Sequence, residues 1–221
     1  MKPIYFSFLL FLTFACNFST DSTAKVEKEP RWWTAADQQF IISELDRTTN
    51  ELLDEVGGLT EEQWGFRADS SHWSIGEIIE HLEMQNQLHF REISVTSKAP
   101  QYEKFRAITS GQDGFFTRYA VDTTKGKAQW FLEPLGRFPT KEMGVNAFLR
   151  ARGGLKKFVE ETNIDLRKQF TFRVPVEGLS LNQIKIGQVR DLHQLLLTGI
   201  AHTDRHIRQI EKIKLQEDFP K

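Results

Sequence analysis

Cysteine is nearly absent: Cys16 is the only one in 221 residues. An intramolecular disulfide is therefore impossible, and so is a cysteine-rich zinc site, so any metal must rest on histidines and carboxylates. An excess of one charge is missing too. Lys and Arg number 29 against 30 Asp and Glu, a formal net charge of -1, which gives no general attraction to nucleic acid. No nucleic-acid partner is expected. The glycine patterns that cradle nucleotide phosphates, the Gly-x-Ser-x-Gly elbow of serine hydrolases and internal repeats are also lacking. Long apolar runs are missing as well, since the longest, Ile4 to Phe14, has about eleven residues, well short of the roughly 20 that span a bilayer.

That short run opens the chain with Lys2 before it and Thr13-Phe14-Ala15 before Cys16, which is a secretory signal pattern over residues 1–16. A small residue ahead of Cys16 and a polar stretch from Asn17 to Glu29 resemble a bacterial lipoprotein signal, with Cys16 as the lipidated residue. Thr13 stands where leucine is usual, and cleavage after Ala15 into a freely secreted protein is the alternative. On both readings the mature protein is exported, and its contact with a membrane is limited to an N-terminal lipid anchor. Residues 17–31 lack an apolar period and read as a flexible tether. A composition of 39% hydrophobic and 12% aromatic residues supports one core, placed at 32–216 with a tail at 217–221.

Within that domain the apolar period is helical. Thr34, with Asp37 three residues on, caps a first helix carrying Phe40, Ile41, Leu45, Leu52, Leu53 and Val56, ended by Gly57-Gly58. Ser74 and Glu77 form a capping box for a second, which places Ile75, Ile78, Ile79, Leu82, Leu88 and Ile93 inward and runs to about Thr96. Residues 97–139 carry scattered Pro and Gly and no sustained period, so they are expected to be a long, partly ordered connection. A third helix is expected from about Thr140 to Glu161, with Ala147, Ala151 and Gly154 allowing close approach of a neighbour. Phe170, Phe172 and Val174 suggest a short extended piece. A fourth helix is expected from Ile186 or Gly187 to Gln216. Four helices with one long connection predict an all-α four-helix bundle.

The chemistry concentrates on the fourth helix, where Leu195, Gly199, His202, His206, Gln209 and Ile213 are spaced 4, 3, 4, 3, 4 along one seam. Four residues advance a helix by about one turn, so both imidazoles share a face as two ligands of one metal require. On the second helix, Ile78, His81, Gln85 and Leu88 are spaced 3, 4, 3, which turns His81 inward as well. Three inward histidines from two helices match an open metal site with positions left for water and substrate. His72, His89 and His193 are expected to be structural or solvated. Gln85 and Gln209 are candidates for residues that orient the ligands. Asp204 should point elsewhere and make a salt link, and Arg150 and Arg152 are candidates for meeting an anionic substrate. No glutamate occupies the place it holds in H-E-x-x-H proteases, and Glu80 projects about 100° from His81.

Trp73-Ser-Ile-Gly-Glu-Ile-Ile-Glu-His81-Leu and Ala201-His202-Thr-Asp-Arg-His206-Ile-Arg-Gln209-Ile closely resemble the two signature segments of the DinB-like/YfiT-like superfamily. Leu135-Gly-Arg-Phe-Pro-Thr leading into Phe148-Leu-Arg-Ala-Arg152 resembles its passage into the third helix. The resemblance covers about residues 33–213. It implies a bundle of up-down-down-up type and zinc or nickel held by His81, His202 and His206. It leaves the reaction open between hydrolysis of an unknown small-molecule substrate and thiol S-transfer. Export disfavours the latter, because low-molecular-weight thiols are mainly cytosolic. A noncatalytic bundle stapled by a structural metal, and three histidines bonded only to one another, are the rivals. Such bundles often form homodimers through exposed helix faces.

Overall fold

The computed structural model describes residues 31–122, 128–176 and 178–221. The signal segment 1–16 with Cys16, and the tether up to residue 30, lie outside them. The described chain is mostly helical with one two-stranded sheet, in the order α1 Ala35–Gly57, α2 Glu61–Gly65, α3 Ile75–Thr96, α4 Arg106–Thr109, α5 Asp113–Val121, α6 Lys141–Glu161, β1 Phe170–Phe172, β2 Val189–Asp191 and α7 Leu192–Lys214. Among the described residues no helix is long and apolar enough to cross a membrane.

The long helices begin where the caps say they should. Thr34 and Ser74 each accept from the backbone N–H three residues on while Asp37 and Glu77 bond back to the cap backbone, and Thr140 accepts from the Met143 N–H. α1 packs against α6 and α7, and α3 packs against the same two helices. Along each helix the apolar residues fall into two clusters. One gathers Leu45, Ile93, Leu155 and Leu196, and the other Leu52, Leu82, Phe148 and Ile207. Between them every long helix carries polar groups: Thr48 on α1, Asn86 and His89 on α3, Arg152 on α6, and Thr203 and His206 on α7, all buried. Buried polar groups persist where something binds them, and this layer holds the candidate site.

Several expectations need correcting. The connection 97–139 contains α4 and α5, and α5 packs along α7. Its nine residues bury only Phe116 and Ala120, too few to print a period. The fourth helix starts at Leu192, not near Ile186, because Val189–Asp191 pair antiparallel with β1, with Phe170 opposite Asp191, and because Gly187 has a φ of 86°, outside the helical region. Asp191 is the cap, in a box with Gln194. Phe40 is half exposed and Leu88 is also exposed, so neither belongs to an inner face. A Cβ on Gly154 would meet nothing within 4 Å, whereas close approaches occur at Gly76, Gly144 and Gly199. The sequence reading also passed over α2, whose signal was present in the Thr60–Gln63 capping box.

Candidate metal centre

The spacing of His81 on α3 and of His202 and His206 on α7 becomes a convergence in space. His81 Nε2 lies 2.9 Å from His202 Nε2, and His206 Nε2 lies 3.0 Å from the same atom. One ligand atom from each residue falls within 4.8 Å of the others. The opposite ring nitrogens have acceptors: His81 Nδ1 donates to the Leu132 carbonyl at 2.8 Å, and His206 Nδ1 donates to Gln209 Oε1 at 2.8 Å. With those protons on Nδ1, the Nε2 atoms of His81 and His206 both present lone pairs. His202 Nε2 has at most one proton and can satisfy only one of them. Mutual hydrogen bonding therefore fails to account for the cluster, whereas one cation would satisfy all three lone pairs at once. The donor set fits a divalent metal.

Electrostatics point the same way. Burial lowers the pKa of His202 and His206 well below that of free imidazole, with their neighbours reinforcing it, and burial also lowers that of His81. The neutral imidazole needed for ligation is the stable form. Trp73 covers one side, its ring 5.0 Å from that of His81 and stacked 6.4 Å from that of His206. Among the described residues the cluster has three members, and it borders a cleft of about 360 Å³ lined by Trp73, His81, His202, Gln85, His89 and Arg205 among others.

The segment that follows the Leu132 carbonyl is tied to α3 by Glu80. Glu80, 1% exposed, accepts from the backbone N–H groups of Leu135 and Arg137 at 2.8 and 3.0 Å and from Arg137 Nε at 2.9 Å. Arg137 also donates to Glu83 at 3.0 Å. Burial opposes ionisation of Glu80, but these donors outweigh it and keep the carboxyl below its usual range. Glu80 does project away from the histidines, and by doing so it straps the connection across α3. The preceding Leu135-Gly-Arg segment was the available signal; the carboxylate that receives it was not marked by any period.

The remaining sequence candidates separate cleanly. Gln209 bonds His206, whereas Gln85 bonds none of the three histidines and lines the cleft with its Oε1 buried and unpartnered. Asp204 takes a two-pronged bond from Arg47 at 3.0 and 3.1 Å. Arg150 is exposed. Arg152 is 3% exposed and donates to Thr203 Oγ1 at 2.6 Å inside the core, so it does not face a substrate. His72 pairs with Asp69 at the surface. His193 Nδ1 accepts from Trp33 Nε1 at 3.3 Å. His89 packs so close to Gly199 that a Cβ there would lie 2.8 Å from its Nδ1.

Helices meeting at a buried polar layer, with three histidines converging beside an open cleft, define a helical protein able to hold one metal ion. The family model of the DinB superfamily matches residues 44–210, and the chain belongs to that superfamily. No curated protein and no solved structure matches it.

Proposed function

We propose that this protein is a metal-dependent enzyme, a hydrolase, with zinc or nickel held by Nε2 of His81, His202 and His206. The observation that carries this reading is the three-membered cluster facing a cleft: a structural site would be closed by a fourth protein ligand, while a catalytic one keeps a position open. A divalent ion in that position supplies Lewis-acid polarisation of a substrate carbonyl or phosphoryl group. The chain's own part is to hold the imidazoles neutral and oriented. His81 is fixed through Leu132 and the Glu80 strap, and His206 through Gln209, while the Trp73 ring packs against both histidines.

The bundle is of the up-down-down-up type on this reading. In support, α1 and α7 run from the Leu45–Leu196 cluster toward the Leu52–Ile207 cluster, and α3 and α6 run the opposite way. The test is metal content of the purified full-length protein after reconstitution with zinc or nickel. We expect close to one ion per chain, loss of the ion in His81→Ala and His202→Ala, and affinity weakened roughly 10- to 100-fold in Gln209→Leu, which removes an orienting partner. An intact protein that takes up no metal would sink the enzyme reading. With metal bound, turnover of ester or amide panels supports hydrolysis, and turnover only with added thiol identifies a thiol S-transferase instead.

We also propose export with lipidation at Cys16. Cys16→Ser is expected to move the protein from the membrane fraction to the soluble one. Unchanged fractionation would remove the anchor.

A further inference from the structure

Arg205 is half-buried on α7 between two of the histidines in sequence, and it lines the same cleft as His81 and His202. Arg167 pairs with Asp113 at 2.9 Å and Arg190 with Glu92 at 3.2 Å, while Arg152 donates to Thr203, leaves Nε and Nη1 unpartnered in the core and does not line the cleft. Among the described residues the Arg205 guanidinium has no hydrogen bond and no carboxylate within ion-pair distance. The half-buried guanidinium opens to the cleft with no anion among the described residues on it, and its planar fork of donors matches an oxyanion. Nearby, Gln85 brings an unpartnered buried carboxamide oxygen to the cleft wall, and that amide, once turned, offers an NH2 to the same guest. The charge balance agrees. Among the described residues that line it, three are arginines, Arg173, Arg190 and Arg205, and two are carboxylates, Glu92 and Asp122, with Glu92 paired to Arg190.

We infer that the cleft binds a small substrate carrying an oxyanion, a carboxylate or a phosphate, docked on Arg205 with Gln85 beside it, so that the rest of the molecule lies against His81 and His202. The inference rests on the metal-centre reading for what happens after docking, but not for the docking itself. It relocates the anion-binding role from Arg150 and Arg152, which face solvent and core, to a residue of the histidine segment.

The experiment is calorimetric titration of inorganic phosphate and, separately, succinate into the full-length protein at low ionic strength, where screening is weak. Each is run on chelator-treated and on zinc-loaded samples whose metal content is measured. Wild type, Arg205→Ala, Arg205→Lys and the surface control Arg150→Ala are compared. The expected result is one saturable site for at least one of the two anions in both metal states. Affinity should fall at least about tenfold in Arg205→Ala, recover partly in Arg205→Lys and stay unchanged in Arg150→Ala, with zinc content equal throughout. Whichever anion binds more tightly assigns carboxylate or phosphate. If neither anion saturates the wild type, or if Arg205→Ala binds as tightly as wild type, the inference fails. If zinc is not retained but anion binding still tracks Arg205, the docking site stands and the metal reading alone falls.

Discussion

Lowering the pH from 7 to 5 is expected to remove about 4 kcal/mol of folding stability through His89 and His193 alone. Burial depresses the pKa of His89 to about 3 and that of His193 to about 4, with nearby arginines adding to the effect. Both residues are almost fully enclosed, at 4% and 3% exposure. An unfolded histidine takes up a proton below about pH 6.5, while the native one refuses it until far lower pH. The stability is therefore fully present above about 6.5 and drains as pH falls, by about 1.4 kcal/mol per unit per residue, until the native values are reached. Small domains have roughly 5–15 kcal/mol in total, so loss of this size leaves little margin near pH 5. Denaturant unfolding of the metal-free protein across pH 7.5 to 4.5 measures it. The decline should be shallower in His193→Gln, which keeps a polar group for Trp33 but cannot titrate. A decline between pH 7 and 5 as steep in His193→Gln as in the wild type would show that the His193 ring is not held neutral by burial, whatever the other buried groups, such as Asp191, contribute.

Replacing Trp64 by alanine is expected to cost about 3–5 kcal/mol, the range for emptying a large aromatic site in a core. The indole is 3% exposed and is gripped on both sides by helix starts. A Cβ on Gly76 of α3 would fall 2.5 Å from its Nε1, and one on Gly144 of α6 would fall 2.5 Å from its Cζ2. Its N–H reaches the Phe138 carbonyl at 3.3 Å. The short helix α2 exists to deliver this one ring into the gap between the first turns of α3 and α6. Gly144→Val should be nearly as damaging by overpacking, since the opposing glycine backbone prevents the ring from sliding away. Midpoint shifts in chemical denaturation at constant slope test both. A loss below about 1 kcal/mol in Trp64→Ala would mean that α2 peels off without disturbing the core.

What could be read from the chain follows from how local each cause is. Helix starts at Thr34, Ser74 and Thr140 were legible because a cap is decided by residues three positions apart. So was the inward face of His202 and His206, since a spacing of four on a helix is geometry and needs no partner. The start of α7 differs from the expected one because Ile186 and Val189, three residues apart, continue the apolar spacing of the helix, and only pairing with Phe170–Phe172, nearly twenty residues away, makes Val189–Asp191 a strand. Arg152 shares with Arg150 the expectation of meeting an anionic substrate, because nothing local to α6 marks the two apart. Only α7 and its Thr203 reveal that Arg152 faces the interior.

The sequence by itself determined the long helices, the DinB-superfamily membership and the three histidines as a group, because periodicity, caps and motif spacing are short-range properties of the chain. The tertiary structure decided what surrounds those histidines. The Leu132 carbonyl on His81, the Glu80 strap beside it and the cleft that Arg205 shares with the histidines all depend on segments brought together from across the fold. Burial by distant segments, which no local spacing records, sets the neutral state of the imidazoles.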